Sequence, residues 1–332
     1  MRKRSKLFIA TLALAGIFMA CSNDKALENM NNSAREISFS TQGGMPTTRV
    51  AATTADQIDA FLVWGGETTQ SWGTNGLLFN GQTVFRTLSN SFDYFPKKYH
   101  PNVGNYDQYY VAFSPVSAFT GGGRTPNTNI FVVEDFIVHC PSIGTDGKTT
   151  QVDILIAVYE ENQGATPKPI EFNFVHALSR VYVSAINETA DPVFIKNITY
   201  KNMYQKAHLT YARGTAGPVW NNLNDIFNYS YLLSQSVGVP AGSTTEVYTV
   251  VAPDQGMLLI PQTLNTIEVK YILGGEEFTA TYNAGGINLL LNHQYNFLIK
   301  FVDDRHAIEF EVIDVSDFQN NNVNTIQRTP AP

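Results

Sequence analysis

Two residues near the amino end carry chemistry that needs no active site. Cys21 follows the small Ala20 at the end of an apolar run, Leu7 to Ala20, and that run follows Arg2, Lys3, Arg4 and Lys6. A basic start, an apolar stretch and a small residue mark a secretory signal, and the run is well short of the roughly 20 residues that a membrane span needs. The residue at that boundary is a thiol, a nucleophile that can carry a covalent modification. Arg49 stands alone among small and hydroxylated residues in GGMPTTRVAATTADQ, residues 43–57. Such a stretch is open to a trypsin-like protease, which would cut between Arg49 and Val50; Pro46 lies upstream and does not block that bond. Arg124, Arg180 and Arg213 are rival sites, Arg124 the most accessible of them and Arg180 protected inside a strand.

Other chemistry is absent. The chain has no HExxH, GxSxG, P-loop, CxxC or GxGxxG motif. GGGR at 121–124 lacks the following helix that a phosphate cradle requires and reads as a hairpin loop. The six histidines, at 100, 139, 176, 208, 293 and 306, never fall at metal-ligand spacing. Glu160–Glu161 and Asp303–Asp304 are adjacent acids, and neighbours on a strand point to opposite faces, so neither pair converges on one bond. No cofactor, metal or catalytic set is expected. With Cys21 acylated, Cys140 is left alone and no disulfide forms within the chain.

Phe18, Met19, Ala20 and Cys21 resemble a bacterial lipobox, with Phe18 where leucine is usual. Two or three acyl chains on Cys21 would hold the protein firmly to a membrane, at about 0.8 kcal/mol per buried methylene. Loss of the signal removes four basic groups and takes the formal charge from −7 to −11. So acidic a chain is a poor partner for nucleic acid or anionic lipid headgroups.

The elements that must position these residues read as strands nearly throughout. REISFS (35–40), IDAFLVWG (58–65), YYVAFSP (109–115), IFVVEDFIVHC (130–140), VDILIAVYE (152–160) and EFNFV (171–175) are rich in β-branched and aromatic residues and end at Gly, Pro, Asn or Thr. SRVYVSAIN, FIKNITYKNM, AHLTYAR, TEVYTVVAP, MLLIPQ, TIEVKYIL, EEFTATYN, HQYNFLIKFV and AIEFEVIDV continue the pattern. Only the stretch from Asn221 to Leu233 leaves room for a turn or two of helix. The expectation is an all-β protein of antiparallel sandwiches. NQGATPKP at 162–169 is the most linker-like segment. The expected organisation is a signal over 1–20, a tether over 21–34, one sandwich over 35–165, a second over 166–318, and a polar tail over 319–332.

The last strand has a change of parity. Ile308, Phe310 and Val312 alternate with Glu309 and Glu311, and then Ile313 and Val315 fall on the other face. A bulge, or a strand serving two sheets, accounts for such a switch. Aromatic content is 12%, and Trp64, Trp72, Trp220 and the tyrosines of NYDQYYVAF (105–113) could stack on sugars. Sandwich cores consume aromatics as well.

A lipobox, EISFSTQGGMPTTR, IDAFLVWG, VDILIAVYE, FNFVHALSRVYVSA, GMLLIPQTLNTIEVKY and a final HQYNFLIKFVDDRHAIEFEVIDVSDF occur in one order. Over residues 35–318 this order resembles the fimbrillin (Mfa-like) family of Bacteroidetes surface lipoproteins, FxHALSR and LLIPQ being the most specific pieces. Phe318 stands where the family usually ends on tryptophan. The resemblance implies two tandem transthyretin-like antiparallel β-sandwich domains, no enzymatic activity, and a pilus subunit active in cell adhesion. It implies a lipoprotein anchored in the outer membrane through Cys21 and displayed on the surface. A trypsin-like surface protease would cut after Arg49, the first strand with Ile37 and Phe39 would leave, and another fimbrial subunit's strand would fill the groove. Ile308, Phe310 and Val312 form the candidate donor strand, and an ordinary last strand of the second sandwich carries the same pattern. The alternative function is a monomeric lipid-anchored surface protein that binds glycan or host protein through loops around Trp72 and Tyr106 to Tyr110.

Overall fold

The computed structural model describes residues 36–41, 58–68, 77–100, 107–119, 124–127, 130–139, 151–161, 168–242, 244–302 and 308–317. The strands ahead of residue 165 are β1 (Phe39–Thr41), β2 (Ala60–Thr68), β3 (Phe79–Arg86), β4 (Phe92–Asp93), β5 (Asp107–Ser114), β6 (Arg124–Asn127), β7 (Ile130–Ile137) and β8 (Leu155–Glu161). After it come β9 (Ile170–Phe172), β10 (Val175–His176), β11 (Ser179–Asn187), β12 (Val193–Ala212), β13 (Val219–Val239), β14 (Tyr248–Val251), β15 (Met257–Leu259), β16 (Thr263–Leu273), β17 (Glu276–Asn288), β18 (His293–Phe301) and β19 (Ile308–Asp317). Two short 3-10 turns, Val116–Phe119 and Pro253–Gln255, are the helical segments among the described residues. The protein is therefore all-β, as its composition and strand-like runs require.

The sheet ordered β10-β8-β5-β2-β3-β4 is buried on both faces along its middle strands. Phe61 and Val63 of β2, Tyr110 and Ala112 of β5, and Leu155 and Ala157 of β8 point into one core. Their neighbours Leu62, Trp64, Tyr109, Val111, Phe113 and Ile156 point into a second. Strands with two buried faces lose the alternation of a half-buried strand, which is why these segments read as continuous apolar runs. Gly65 lets β2 and β5 approach: its φ is +139°, and a Cβ there would lie 2.2 Å from the Tyr109 carbonyl oxygen.

The first core is covered by a small layer, β1 beside β9. The second continues into a larger sheet, β17-β16-β12-β7-β6 with β13 along β12, and into a sheet ordered β14-β11-β18-β19 with β15 also on β11. β12 is paired with β13 along one edge; on the other it meets β16 through Val193–Lys201 and β7 through Lys206–Ala212. The large sheet thus draws strands from both sides of the segment 162–169.

Two expectations need correction. Residues 221–233 are not helical but lie in β13, where Asn222 (φ 49°) and Asp225 (φ 55°) take left-handed backbone conformations, Asn222 opposite the irregularity between Lys206 and His208 of β12. Asn and Asp tolerate those angles, so their polar spacing records bulges rather than a helical face. Nor is every pairing antiparallel: β1 runs parallel to β9, and β11 parallel to β18 over Arg180–Asn187.

Candidate functional site

β1 is three residues long, yet it closes a core. Ile37 is fully buried and Phe39 is 5% exposed. The Phe39 ring meets Phe61, Phe79, Tyr94 and Tyr110 edge-on at centroid distances of 5.2–6.1 Å, and stacks on Phe172 at 5.6 Å with 7° between the planes. Offset stacked and edge-on rings each add about 0.5–1.5 kcal/mol beyond area burial, so this is the best-filled position in the layer.

The backbone holds β1 less firmly. On one side Phe39 to Thr41 pair with Ile170 to Phe172, and the Ile170 N–H donates to the Ser38 carbonyl at 2.8 Å. On the other, the Ile37 N–H donates to the Lys98 carbonyl at 2.9 Å and the Tyr94 hydroxyl donates to the Ile37 carbonyl at 2.6 Å. Glu36 forms an isolated bridge with Tyr99. Lys97 bonds Glu36 and also lies 2.6 Å from Asp93. Burial pushes the Tyr94 hydroxyl up to about 12, so it remains a donor. The bond from Lys97, aided by the Tyr94 N–H, holds the Asp93 carboxyl below its ordinary value. These ion pairs are partly exposed and contribute about 0–1 kcal/mol each.

Beside this seat lies a buried polar cluster. Glu67 Oε1 accepts from Gln108 Nε2 at 2.6 Å and from the Tyr110 hydroxyl at 3.2 Å, and His100 Nδ1 lies 2.5 Å away. Tyr110 joins the cluster to the ring nest around Phe39, and His100 follows the Tyr99 that bridges Glu36. Tyr94, Phe79, Glu67 and His100 carry no motif that would have assigned them to the seat; their spacing along the chain is irregular, and the fold brings them together.

Of the residues singled out in the sequence, Ile37 and Phe39 thus share one seat, whereas Cys21, Arg49 and Val50 lie outside the described residues. The candidate donor residues lie elsewhere, on β19, which pairs antiparallel with β18 at a sheet edge. Phe310 is 6% exposed and stacks on Tyr282 at 4.4 Å, while Ile308 and Val312 are half-buried. The ladder passes from Phe297↔Val312 to Asn296↔Asp314 and skips Ile313, which is the bulge that the change of parity called for.

The aromatic residues that could have formed a platform are engaged in packing. Trp64, Tyr109 and Tyr110 are buried, and the Trp220 indole donates to the Ala177 carbonyl at 2.6 Å. Trp72 and Tyr106 lie outside the described residues. Among rival cleavage sites, Arg180 is buried in β11, and Arg213 lies 2.5 Å from Asp107 with its guanidinium over Tyr109. Arg124 is the first residue of β6.

A second buried cluster joins the segment before β8 to β10 and β11. His176 Nδ1 lies 2.7 Å from Asp153 Oδ2, and Arg180 lies 3.9 Å from the same oxygen. Ser179 is close in sequence, but its hydroxyl donates to the Leu290 carbonyl at 2.7 Å and it is fully buried. Burial, reinforced by Arg180, lowers the His176 pKa against the opposing pull of Asp153. Gln151 completes the junction, donating to the carbonyl of Leu258 and accepting from its N–H at 2.9 and 2.8 Å.

Residues 48–316 match the fimbrillin-like family. No curated protein matches the chain. Among solved structures, a fimbrial protein from Bacteroides vulgatus superposes with a TM-score of 0.56 at 13% identity, over 86% of this chain and 99% of that one. A fimbrial assembly protein from Parabacteroides distasonis gives 0.39 at 11% identity, over 85% and 98%. At 13% identity the first likeness is one of fold.

Proposed function

Because the chain belongs to the fimbrillin-like family, we propose that it is a structural subunit of an adhesive fimbrium, assembled after proteolysis by exchange of its first strand. The observation that carries this reading is the seat of β1, where a deep apolar plug is joined to a minimal strand. Burial of Ile37 and Phe39 contributes about 4–5 kcal/mol. While the chain is intact, seating of the strand is intramolecular and is favoured over the binding of a separate peptide with the same contacts. Cleavage after Arg49 makes the same segment a separate peptide, which loses that intramolecular advantage and does not return once it has dissociated and diffused away. Dilution at a cell surface then empties the seat.

The empty seat would expose an aromatic trough and the backbone groups of Ile170 and Lys98, a site for strand addition. Ile308, Phe310 and Val312 of another subunit are the candidate plug, worth roughly 6 kcal/mol at about 2 kcal/mol each before ordering costs. Leaving β18 opposes this gain. The present seat of β19 is the shallower one, with Ile308 and Val312 half-buried, whereas Ile37 and Phe39 are almost wholly covered. In this scheme acylated Cys21 holds the precursor in the outer membrane, a trypsin-like surface protease releases it, and the mature chain begins at Val50.

The test is the amino-terminal residue and intact mass of the protein from the surface of its own cells, for the natural chain and for Arg49→Ala. The natural chain is expected to begin at Val50, without lipid and partly in a high-mass ladder; Arg49→Ala is expected to retain acylated Cys21 and to give no ladder. A natural chain that keeps acylated Cys21 and stays monomeric overturns the proposal and favours a lipid-anchored surface binder.

A further inference from the structure

Away from the seat of β1, a cavity of about 360 Å³ opens where the end of β8 meets the turn between β12 and β13. That volume lies in the range of small-ligand sites, about 300–1,000 Å³. Ile156, Val158 and Glu160 alternate along β8 and so share the face that lines it. Val175 and Pro218 complete an aliphatic floor, and Glu160 and Asn173 bring polar groups to the wall.

Glu160 is held in place without being neutralised. The Tyr211 hydroxyl donates to its Oε1, and the Gly214 N–H donates to Oε1 at 3.1 Å and to Oε2 at 3.3 Å. Both donors are uncharged. The neighbouring carboxylates differ: Glu161 pairs with Lys168 at 2.8 Å, and Asp107 with Arg213 at 2.5 Å. Among the described residues no lysine, arginine or histidine makes an ion pair with Glu160. A fixed, half-buried carboxylate thus lines a cavity with an aliphatic floor, and its counter-charge is still to be supplied.

We propose that this cavity receives a lysine side chain of another protein, with its methylenes along Ile156, Val158 and Val175 and its ammonium between Glu160 and Asn173. An anionic group is repelled by Glu160, and a wholly apolar one covers the carboxylate without satisfying it. A sugar finds little ring face, since Tyr211, the aromatic residue of the lining, is 4% exposed. Arginine binds a carboxylate best as a fork across both oxygens, and Oε1 is already engaged by Tyr211. An ammonium takes one oxygen at a time, and Glu160 Oε2 and the Asn173 side-chain oxygen offer two. Lysine also joins a long apolar stem to a charged tip, as the cavity joins floor to wall. The formal charge of −7 favours the approach of a basic partner. The site is complete in the intact chain, so it stands or falls apart from strand exchange.

The test is saturation-transfer NMR on the intact, uncleaved chain, titrated with Nα-acetyl-lysine methylamide as the probe. Saturation is expected on the side-chain methylenes, and affinity is expected to fall as salt rises. The Nε-acetylated probe keeps the stem and loses the charge, and Glu160→Gln retains an oxygen for Tyr211 and Gly214. Each of these two changes is expected to weaken binding about tenfold or more, the effect of one hydrogen bond to a charged group. Asn173→Ala alters an exposed position outside those bonds and is expected to weaken binding about threefold, which keeps the test decisive if Glu160→Gln does not fold. Equal binding of the charged and Nε-acetylated probes, unchanged binding by Glu160→Gln or by Asn173→Ala, tighter binding of the arginine analogue or of glucose, or no saturation with the natural chain overturns the proposal.

Discussion

Replacing Phe39 by alanine is expected to lower the unfolding free energy by about 3–5 kcal/mol, the range for removing a fully packed phenylalanine. The middle of that range applies: Phe61, Phe79 and Tyr110 sit on β2, β3 and β5, held by their own ladders, and resist closing over the space, whereas Tyr94 lies outside the strands and Phe172 on β9, whose ladder is with β1 itself. A strand only three residues long has few backbone bonds to retain it. Part of the effect is therefore expected as local release of β1, seen as faster hydrogen exchange at the Ile170 N–H, which donates to Ser38. Urea unfolding of the uncleaved chain measures the total, with Ser38→Ala as a control expected within about 0.5 kcal/mol of the parent. A loss below 1 kcal/mol for Phe39→Ala would mean that β1 is not the plug of the first core.

The second large effect is expected at Asp153. Its side chain is 1% exposed and faces His176, 0% exposed, and Arg180, 8% exposed. Asp153→Ala removes the buried carboxylate that His176 and Arg180 both face, and removing one member of a buried charged cluster costs about 3–5 kcal/mol. Asp153→Asn, which keeps the shape, should separate the charge from the packing. The same cluster sets a pH dependence. Burial lowers the folded pKa of His176 below its ordinary 6.5, so the unfolded chain takes up a proton that the folded one resists. Stability from this group is complete above pH 6.5 and is lost as pH falls towards the folded value, by at most about 1.4 kcal/mol per pH unit. Urea titrations at pH 7.5 and 5.5 should show the loss in the parent and a smaller one in His176→Asn; equal losses in both would place the acid sensitivity elsewhere.

The sequence carries the all-β class because its strands are rich in β-branched and aromatic residues and its turns in glycine, proline and asparagine. β2, β5 and β8 were visible as apolar runs, and their lack of alternation already contained the fact that both faces are buried. β3 was not: Asn80–Gly81 has the composition of a turn, but Gly81, at φ 71°, marks an irregularity in β3 where the Trp64 ring lies close. The helical tendency of residues 221–233 had the same cause, asparagines that absorb bulges. Parallel pairing of β1 with β9 joins residues about 130 apart in the chain, and periodicity, a local property, holds no trace of it. Of the candidate site, Ile37 and Phe39 were legible as the apolar face of a first strand. Tyr94, Glu67, His100 and Gln108 were not, because each belongs to the seat only through the partners that the sheet supplies.

β12 is paired along one edge by β16 and then by β7, so a single strand of 20 residues, about 65 Å long, ties the two halves of the chain together. If subunits are joined at the seat of β1 and at β19, tension in the filament enters through the first core and leaves through the edge sheet. The direct route runs from β9, beside the seat of β1, through β10 into β11, and from β11 across the ladders to β18 and β19. Strands pulled along their own direction slide against all their hydrogen bonds at once rather than opening them singly. Ladders loaded in that way would resist until they part as a whole, and a filament of such units would behave as a stiff rod rather than an extensible spring.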